Sequence, residues 1–232
     1  FKGEARRAGI PQRAIDRGLA GVSYSSRVVR LDRSQRSFKL SYAQFYRRRV
    51  SGALLSRGRS LMQRHAGLLR RIEQRFGVPP EVLIAIWGLE TYYGRNGGRL
   101  PIIQSIATLA YDCRRARFFQ KELIAALRIV ARGDMSPSQM RGGWAGEIGQ
   151  TQFLASSYVK YAVDFDGNGR RDLIRSVPDV LASTANYLRA YGWRRGQGWG
   201  PGTANYGVLR QWNSAGVYVK TIAAVASKLG SR

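Results

Sequence analysis

The sequence predicts a mainly α-helical protein. Apolar residues recur at three- and four-residue spacing along most of the chain. Glycine and proline punctuate those segments rather than interrupt them. Alternating, strand-like patterns are thin. With 232 residues, 44% of them hydrophobic, the chain can bury a sizeable core and is not a disordered polycation.

In chain order, a first helix is expected at residues 11–19. A looser arm then runs to residue 41, with Val28-Val29-Arg30-Leu31-Asp32 as a short extended segment. Helical spacing returns at 42–49 and 55–76, where Leu61, Leu68, Leu69, Ile72 and Phe76 make one stripe. Gly77-Val78-Pro79-Pro80 closes that helix and opens the next, with Gly at the exit and Pro at the entry. Further helices are expected at 103–111, 118–132, 156–163, 177–191 and 216–229. Residues 136–138 and 196–202 read as loops. The longest apolar run, 82–89, is far short of the roughly 20 residues a membrane span needs. Two regions are expected: an N-terminal arm with packing helices at 1–74, and a core at 75–232 that includes a loop at 164–179 and the C-terminal helix. Phe1 stands where an initiating methionine would, so a signal or anchor segment is expected to lie outside this chain.

Basic residues number 39 against 14 acidic, a formal charge of +25, and all but six of the basic residues are arginine. That charge suits a polyanion such as nucleic acid, anionic lipid or an acidic wall polymer, and equally a basic solvated surface. Cys113 is the single cysteine, which excludes an internal disulfide and a cysteine-rich zinc site. The single histidine, His65, lies in a helical pattern and reads as a surface or half-buried helix residue. Carboxylate chemistry is what remains.

Glu4, Asp16, Asp32, Glu73 and Glu122 neighbour polar or basic residues and read as exposed. Glu90 differs, because Leu83, Ile86 and Trp87 precede it by seven, four and three residues on one helix face. A carboxyl group among apolar side chains is harder to ionise and becomes a general acid near neutral pH. The alternative is a helix-terminal Glu reaching solvent or pairing with Arg95. Glu81 lies about 13 Å away along the helix axis, too far for a close carboxylate pair. It suits the helix N-terminus instead.

Asp164-Phe165-Asp166-Gly167-Asn168-Gly169-Arg170-Arg171-Asp172 follows a calcium loop through position 9, with oxygen ligands at alternate residues and Gly at the bend. Position 12 is Arg175, so Asp179 is the candidate for the missing carboxylate. A polar turn without metal is the other reading. In Gly142-Gly143-Trp144-Ala145-Gly146-Glu147-Ile148-Gly149-Gln150-Thr151-Gln152-Phe153, glycines interleave with an aromatic ring and amides. That suits a surface approached closely by a ligand, with Trp144 for a sugar face and Gln150 and Gln152 for acetamido or hydroxyl groups. A tight turn before a Ser156-capped helix is the plainer reading.

These stretches, with Ala185-Asn186-Tyr187-Leu188, Gly192-Trp193 and Arg210-Gln211-Trp212-Asn213, resemble the lytic murein transglycosylase B family in order and spacing over residues 42–230. The resemblance implies an α+β lysozyme-like fold dominated by a helical core, with a small strand-poor insertion and a calcium-type loop. It implies cleavage of the MurNAc-β-1,4-GlcNAc bond of peptidoglycan glycan strands by attack of the muramyl C6 hydroxyl, with a 1,6-anhydro product. A single acid and base falls on Glu90. Gln152, Asn213, Trp212, Tyr218, Tyr46 and Trp144 are the implied substrate-binding residues. Asp164, Asp166, Asn168, the carbonyl of Arg170, and Asp179 are the implied ligands of a structural calcium ion. No cofactor is implied for catalysis and no specific nucleic acid as partner; a periplasmic monomer is expected. The sequence departs from the family where Gly143 replaces a serine and Trp212 a tyrosine. The calcium loop is one residue longer, and Glu147 adds a carboxylate near the groove. A hydrolytic muramidase and a non-catalytic basic binder of cell wall or nucleic acid are the alternatives.

Overall fold

A computed structural model describes residues 1–34 and 40–231; residues 35–39, within the expected arm, lie outside the described residues. The N-terminal helices are α1 (Lys2–Arg7), α2 (Gln12–Leu19), α3 (Ser26–Arg33), α4 (Tyr42–Arg49), α5 (Gly52–Arg64) and α6 (Ala66–Phe76). Then come α7 (Pro80–Thr91), β1 (Leu100–Pro101), α8 (Ile102–Tyr111), α9 (Ala116–Arg132) and β2 (Arg141–Gly142). The chain ends with α10 (Ala155–Tyr161), α11 (Val177–Ala190), α12 (Ala204–Trp212) and α13 (Gly216–Gly230). Most helices fall where the apolar spacing put them. The exceptions are instructive.

The 55–76 pattern is two helices, broken at His65, which ends α5 and begins α6 with φ −104° and ψ 19°. Its ring lies 6.4 Å from Trp87. Residues 28–32 are helical rather than extended. Ser25 caps that helix by accepting from Val28 N–H, and Val28, Val29 and Asp32 form its buried face. The β-branched pair suggested a strand, but the cap and the buried stripe decide otherwise.

Asp32 is also not exposed: its side chain is 2% accessible and is gripped by Arg114 and Arg115, 82 and 83 residues away. Burial alone would raise its pKa, but the two guanidinium groups overcome that and hold the carboxyl below its usual range. A depressed folded pKa means stability present above the unfolded value of about 3.9 and lost as pH falls through the folded value. Both arginines keep contact with water, so an Asp32→Ala protein should lose about 2 kcal/mol at pH 7, less than for a fully enclosed pair. The difference from the parent in thermal unfolding should shrink towards pH 2. An equal difference at both pH values would rule out the ion pair as its source.

Glu122 is likewise buried. Its two oxygens accept from Ser156 Oγ at 2.6 Å and Ser156 N–H at 2.9 Å, so a carboxylate of α9 caps α10 in place of the serine itself. The helix α12 gives only a weak sequence signal, since Gly207 and two aromatic residues dilute its pattern.

At the centre is α7. Residues 82–89 are all buried, so it is apolar all round and packs against α5, α6, α11 and α13. Pro79 precedes it, Pro80 opens it and Glu81 lies in its first turn. It stops abruptly: Tyr92 and Tyr93 both take left-handed conformations, φ 52° and 62°, which bulky side chains rarely adopt. The strain is offset by packing. The Tyr93 hydroxyl donates to the buried carbonyl of Leu54 at 2.8 Å, and its ring passes over Gly88, where an added Cβ would lie 2.8 Å from the ring. The short β1–β2 ladder pairs Leu100 with Gly142 and Pro101 with Arg141. Bridges from Gly142 to Ile148 and from Ile148 to Phe153 then fold residues 142–153 beside the end of α7.

Candidate active site

The left-handed exit of α7 leaves Glu90 facing a cleft of about 340 Å³. Glu147, Gln152, Phe153, Tyr187, Trp212 and Asn213 line it beside Glu90. Four parts of the chain far apart in sequence therefore meet there: the end of α7, the glycine-rich loop, α11 and the end of α12. Glu90 Oε1 accepts a hydrogen bond from Trp212 Nε1 at 2.9 Å. It makes no ion pair with Arg95, whose guanidinium lies 5.9 Å from the Tyr92 ring centre. Burial pushes the Glu90 carboxyl above its ordinary pKa, against the opposing effects of Trp212, Tyr218 and Arg49, and the Glu147 charge pushes the same way as burial. Arg49 is itself held by the Leu89 carbonyl at 2.6 Å.

The cleft has a rigid back wall. Trp212 packs edge-on against Phe153 at 5.5 Å and Tyr187 at 5.0 Å. The Tyr187 hydroxyl donates to the Gln211 carbonyl at 2.7 Å. Asn213 lines the cleft while its Oδ1 accepts from Ala215 N–H, between α12 and α13. Gln152 is left-handed, φ 56°, and its amide donates to the carbonyls of Gly149 at 2.8 Å and Gly97 at 3.2 Å. Gln150 is not in this cleft: it accepts from Trp87 Nε1 at 2.8 Å and donates to the Ile174 carbonyl at 2.9 Å.

Of the six substrate-binding candidates, Gln152, Trp212 and Asn213 line the cleft with Glu90. Tyr218 lies behind Glu90, 5% exposed, with burial and the carboxyl's charge both raising its pKa. Tyr46 lies against Tyr42, ring centres 5.7 Å apart and tilted by 52°, with Lys228 over its ring, and Trp144 packs half-buried on the core. Neither is in the cleft lining. Sequence reasoning missed Arg49 and did not single out Tyr187 or Phe153. The Arg47-Arg48-Arg49 run was the one visible signal, and nothing in it marks which arginine turns inward.

In the acidic loop, one oxygen each of Asp164, Asp166 and Asp179 lies within 4.8 Å of the others. None of the three forms an ion pair among the described residues, although Arg170, Arg171 and Arg175 are adjacent in sequence. Backbone N–H groups shape the loop instead. Gly167 and Gly169 donate to Asp164, Arg170 to Asn168 Oδ1, and Phe165 and Asp172 to Asp179 at 2.7 and 2.8 Å. Asp172, the ninth position of the motif, turns away to accept from Ile174 and Arg175 N–H, and fully buried Asp179 in the first turn of α11 supplies the third carboxylate. Three converging carboxylates form a donor set suited to a hard cation.

A family model described as the transglycosylase SLT domain matches residues 1–202. The chain belongs to this family. It is 42% identical over 129 residues to the membrane-bound lytic murein transglycosylase B of Escherichia coli K12, an alignment covering 55% of this chain and 36% of that protein. The chain thus spans about a third of the curated relative it matches. Among solved structures, SltB3 of Pseudomonas aeruginosa in complex with NAG-NAM-pentapeptide is 32% identical, with TM-score 0.93 over 100% of this chain and 78% of that one. The E. coli lytic transglycosylase Slt35 in complex with calcium is 24% identical, with TM-score 0.84 over 97% of this chain and 89% of that one, and shows the shared fold. This transglycosylase-family chain is therefore mainly helical and lysozyme-like, as the sequence resemblance implied. None of its described helices is long and apolar enough to cross a membrane.

Proposed function

We propose that this chain cleaves the MurNAc-β-1,4-GlcNAc bond of peptidoglycan glycan strands as a lytic transglycosylase, with Glu90 as its single acid and base. The observation that carries this is a carboxyl group of raised pKa facing a cleft and held by an indole N–H, in a chain of the SLT family. The protonated Glu90 gives its proton to the glycosidic oxygen as the bond to the muramyl C1 breaks. The resulting carboxylate takes the proton of the muramyl C6 hydroxyl as O6 bonds to C1, closing the 1,6-anhydro ring and restoring the acid. Ordinary glycosidases place two carboxyls about 5–9.5 Å apart so that one serves as nucleophile or activates water. A substrate that supplies its own nucleophile needs only one. SltB3 has also been solved in complex with NAG-anhNAM-pentapeptide, which is the product type expected here.

Gln152, Asn213 and Trp212 are assigned to the glycan. Tyr218 and Arg49 are assigned to Glu90, whose charged form they favour. Residues 1–74 buttress the core at 75–232, a reading supported by Arg49 reaching the Leu89 carbonyl and by Tyr93 reaching Leu54. A structural calcium ion would be held by Asp164, Asp166, Asn168, the Arg170 carbonyl and Asp179, and would cross-link the loop to α11. The membrane-bound E. coli relative favours action at the periplasmic wall, where the +25 charge would hold the protein near muramyl and peptide carboxylates. Mass spectrometry of digested peptidoglycan tests the reaction: the products should be lighter by one water than hydrolysed muropeptides. Reducing-end products alone would establish a hydrolytic muramidase instead.

A further inference from the structure

Gly143 and Glu147 compete for one volume. A Cβ added to Gly143 would stand 2.1 Å from Glu147 Oε2 and 3.2 Å from Gln152 Oε1, so any side chain at 143 would displace the carboxylate. The loop fixes this arrangement from both ends. Gly143 N–H donates to the Glu147 carbonyl at 3.0 Å, and Ala145 N–H donates to Glu147 Oε2 at 3.0 Å. The acid is thereby folded back over Gly143 into the cleft that contains Glu90.

Glu147 is half-buried, and the buried carboxylates of this arginine-rich chain, Asp32, Glu122, Asp134 and Asp179, all have structural partners, backbone N–H groups in the case of Asp179. Asp32 and Asp134 lie against guanidinium groups, and both oxygens of Glu122 are taken by Ser156. Glu147 has no cation within 4.0 Å among the described residues. Its side-chain partners are the N–H groups of Ala145 and of Glu147 itself. A carboxylate aimed into a cleft with acceptor capacity unspent suits a ligand rich in O–H and N–H donors.

We propose that Glu147 is a glycan-binding residue: folded over Gly143, its carboxylate accepts a hydrogen bond from a hydroxyl or acetamido N–H of the N-acetylhexosamine seated beside Glu90. Position 143 is glycine so that the acid can stay there. This assignment rests on the transglycosylase reading above and names a contact of the same cleft.

The test is a double-mutant cycle. Calorimetry on a Glu90→Gln background measures binding of a peptide-free (GlcNAc-MurNAc)₂ tetrasaccharide, and steady-state kinetics on the Glu90 parent measure KM and kcat. Glu147→Ala should weaken binding and raise KM by about 10- to 100-fold, the range for a hydrogen bond to a charged group. Glu147→Gln, which keeps an acceptor and the side chain's volume, should recover part of the loss. Gly143→Ala should weaken binding with the acid still present, and the double variant should be no worse than Glu147→Ala alone. Unchanged Kd and KM in Glu147→Ala, or losses at the two positions that simply add, would overturn the assignment. If Glu147→Ala unfolds, Glu147→Gln and Gly143→Ala decide: no change in either is equally fatal. Failure of the Glu90→Gln protein to bind the tetrasaccharide, with no turnover by the parent, would instead overturn the transglycosylase reading.

Discussion

A Glu90→Gln protein should retain its fold and its affinity for glycan while losing about 10²- to 10⁴-fold in turnover, the usual contribution of a positioned general acid. The amide preserves side-chain volume and can still accept from Trp212 Nε1, but it has no proton to give to the glycosidic oxygen. Loss in kcat with little change in KM would mark a group that acts only in the transition state. The pH profile supplies a second check. Because burial raises the Glu90 pKa, the acid form should persist above the ordinary glutamate value of about 4.3, and the alkaline limb of kcat/KM should lie correspondingly higher. Full activity in Glu90→Gln would end both the transglycosylase and the muramidase readings.

Asp179→Ala should be the most destabilising single change in the acidic loop. Its carboxylate is fully buried and accepts from the N–H groups of Phe165, Asp166 and Asp172, all of which lose their acceptor at once. A loss of about 3–5 kcal/mol follows from stranding several donors, or roughly 10 °C in Tm for a chain of this size. The same protein should lose any response to calcium. In the parent, chelator should lower Tm and millimolar calcium restore it, since an ion that binds only the folded loop stabilises that state by mass action. A parent Tm indifferent to both would exclude the ion while leaving the stability loss in place.

Much of this fold is legible because its signals are local. Helix α4 spans the residues its apolar spacing gives, and Ser41 and Gln44 close its start with a capping box. Pro79, Pro80 and Gly77 likewise mark the entry to α7. Where partners are distant, local reading fails. Asp32 and Glu122 look solvated among their neighbours, yet one meets arginines more than 80 residues away and the other meets Ser156, 34 residues on. Glu90 could be singled out because few acids compete with it and its helix face is apolar. Arg49, Tyr187 and the folded-back Glu147 could not, because their roles exist only once four separate segments have met. Gln150 and Gln152 look equivalent on paper, but backbone geometry turns one towards Trp87 and Ile174 and the other towards the cleft.

The Trp212–Glu90 hydrogen bond spans 122 residues, and the Tyr218 ring behind the acid comes from the last helix. Glu90 therefore has its indole partner and its buried setting only with α12 and α13 in place. On the proposed mechanism, the acid is assembled only when segments from across the chain have met. If the proposed substrate is the wall around the protein, this dependence amounts to a safety catch: a copy without its last two helices would lack the assembled acid.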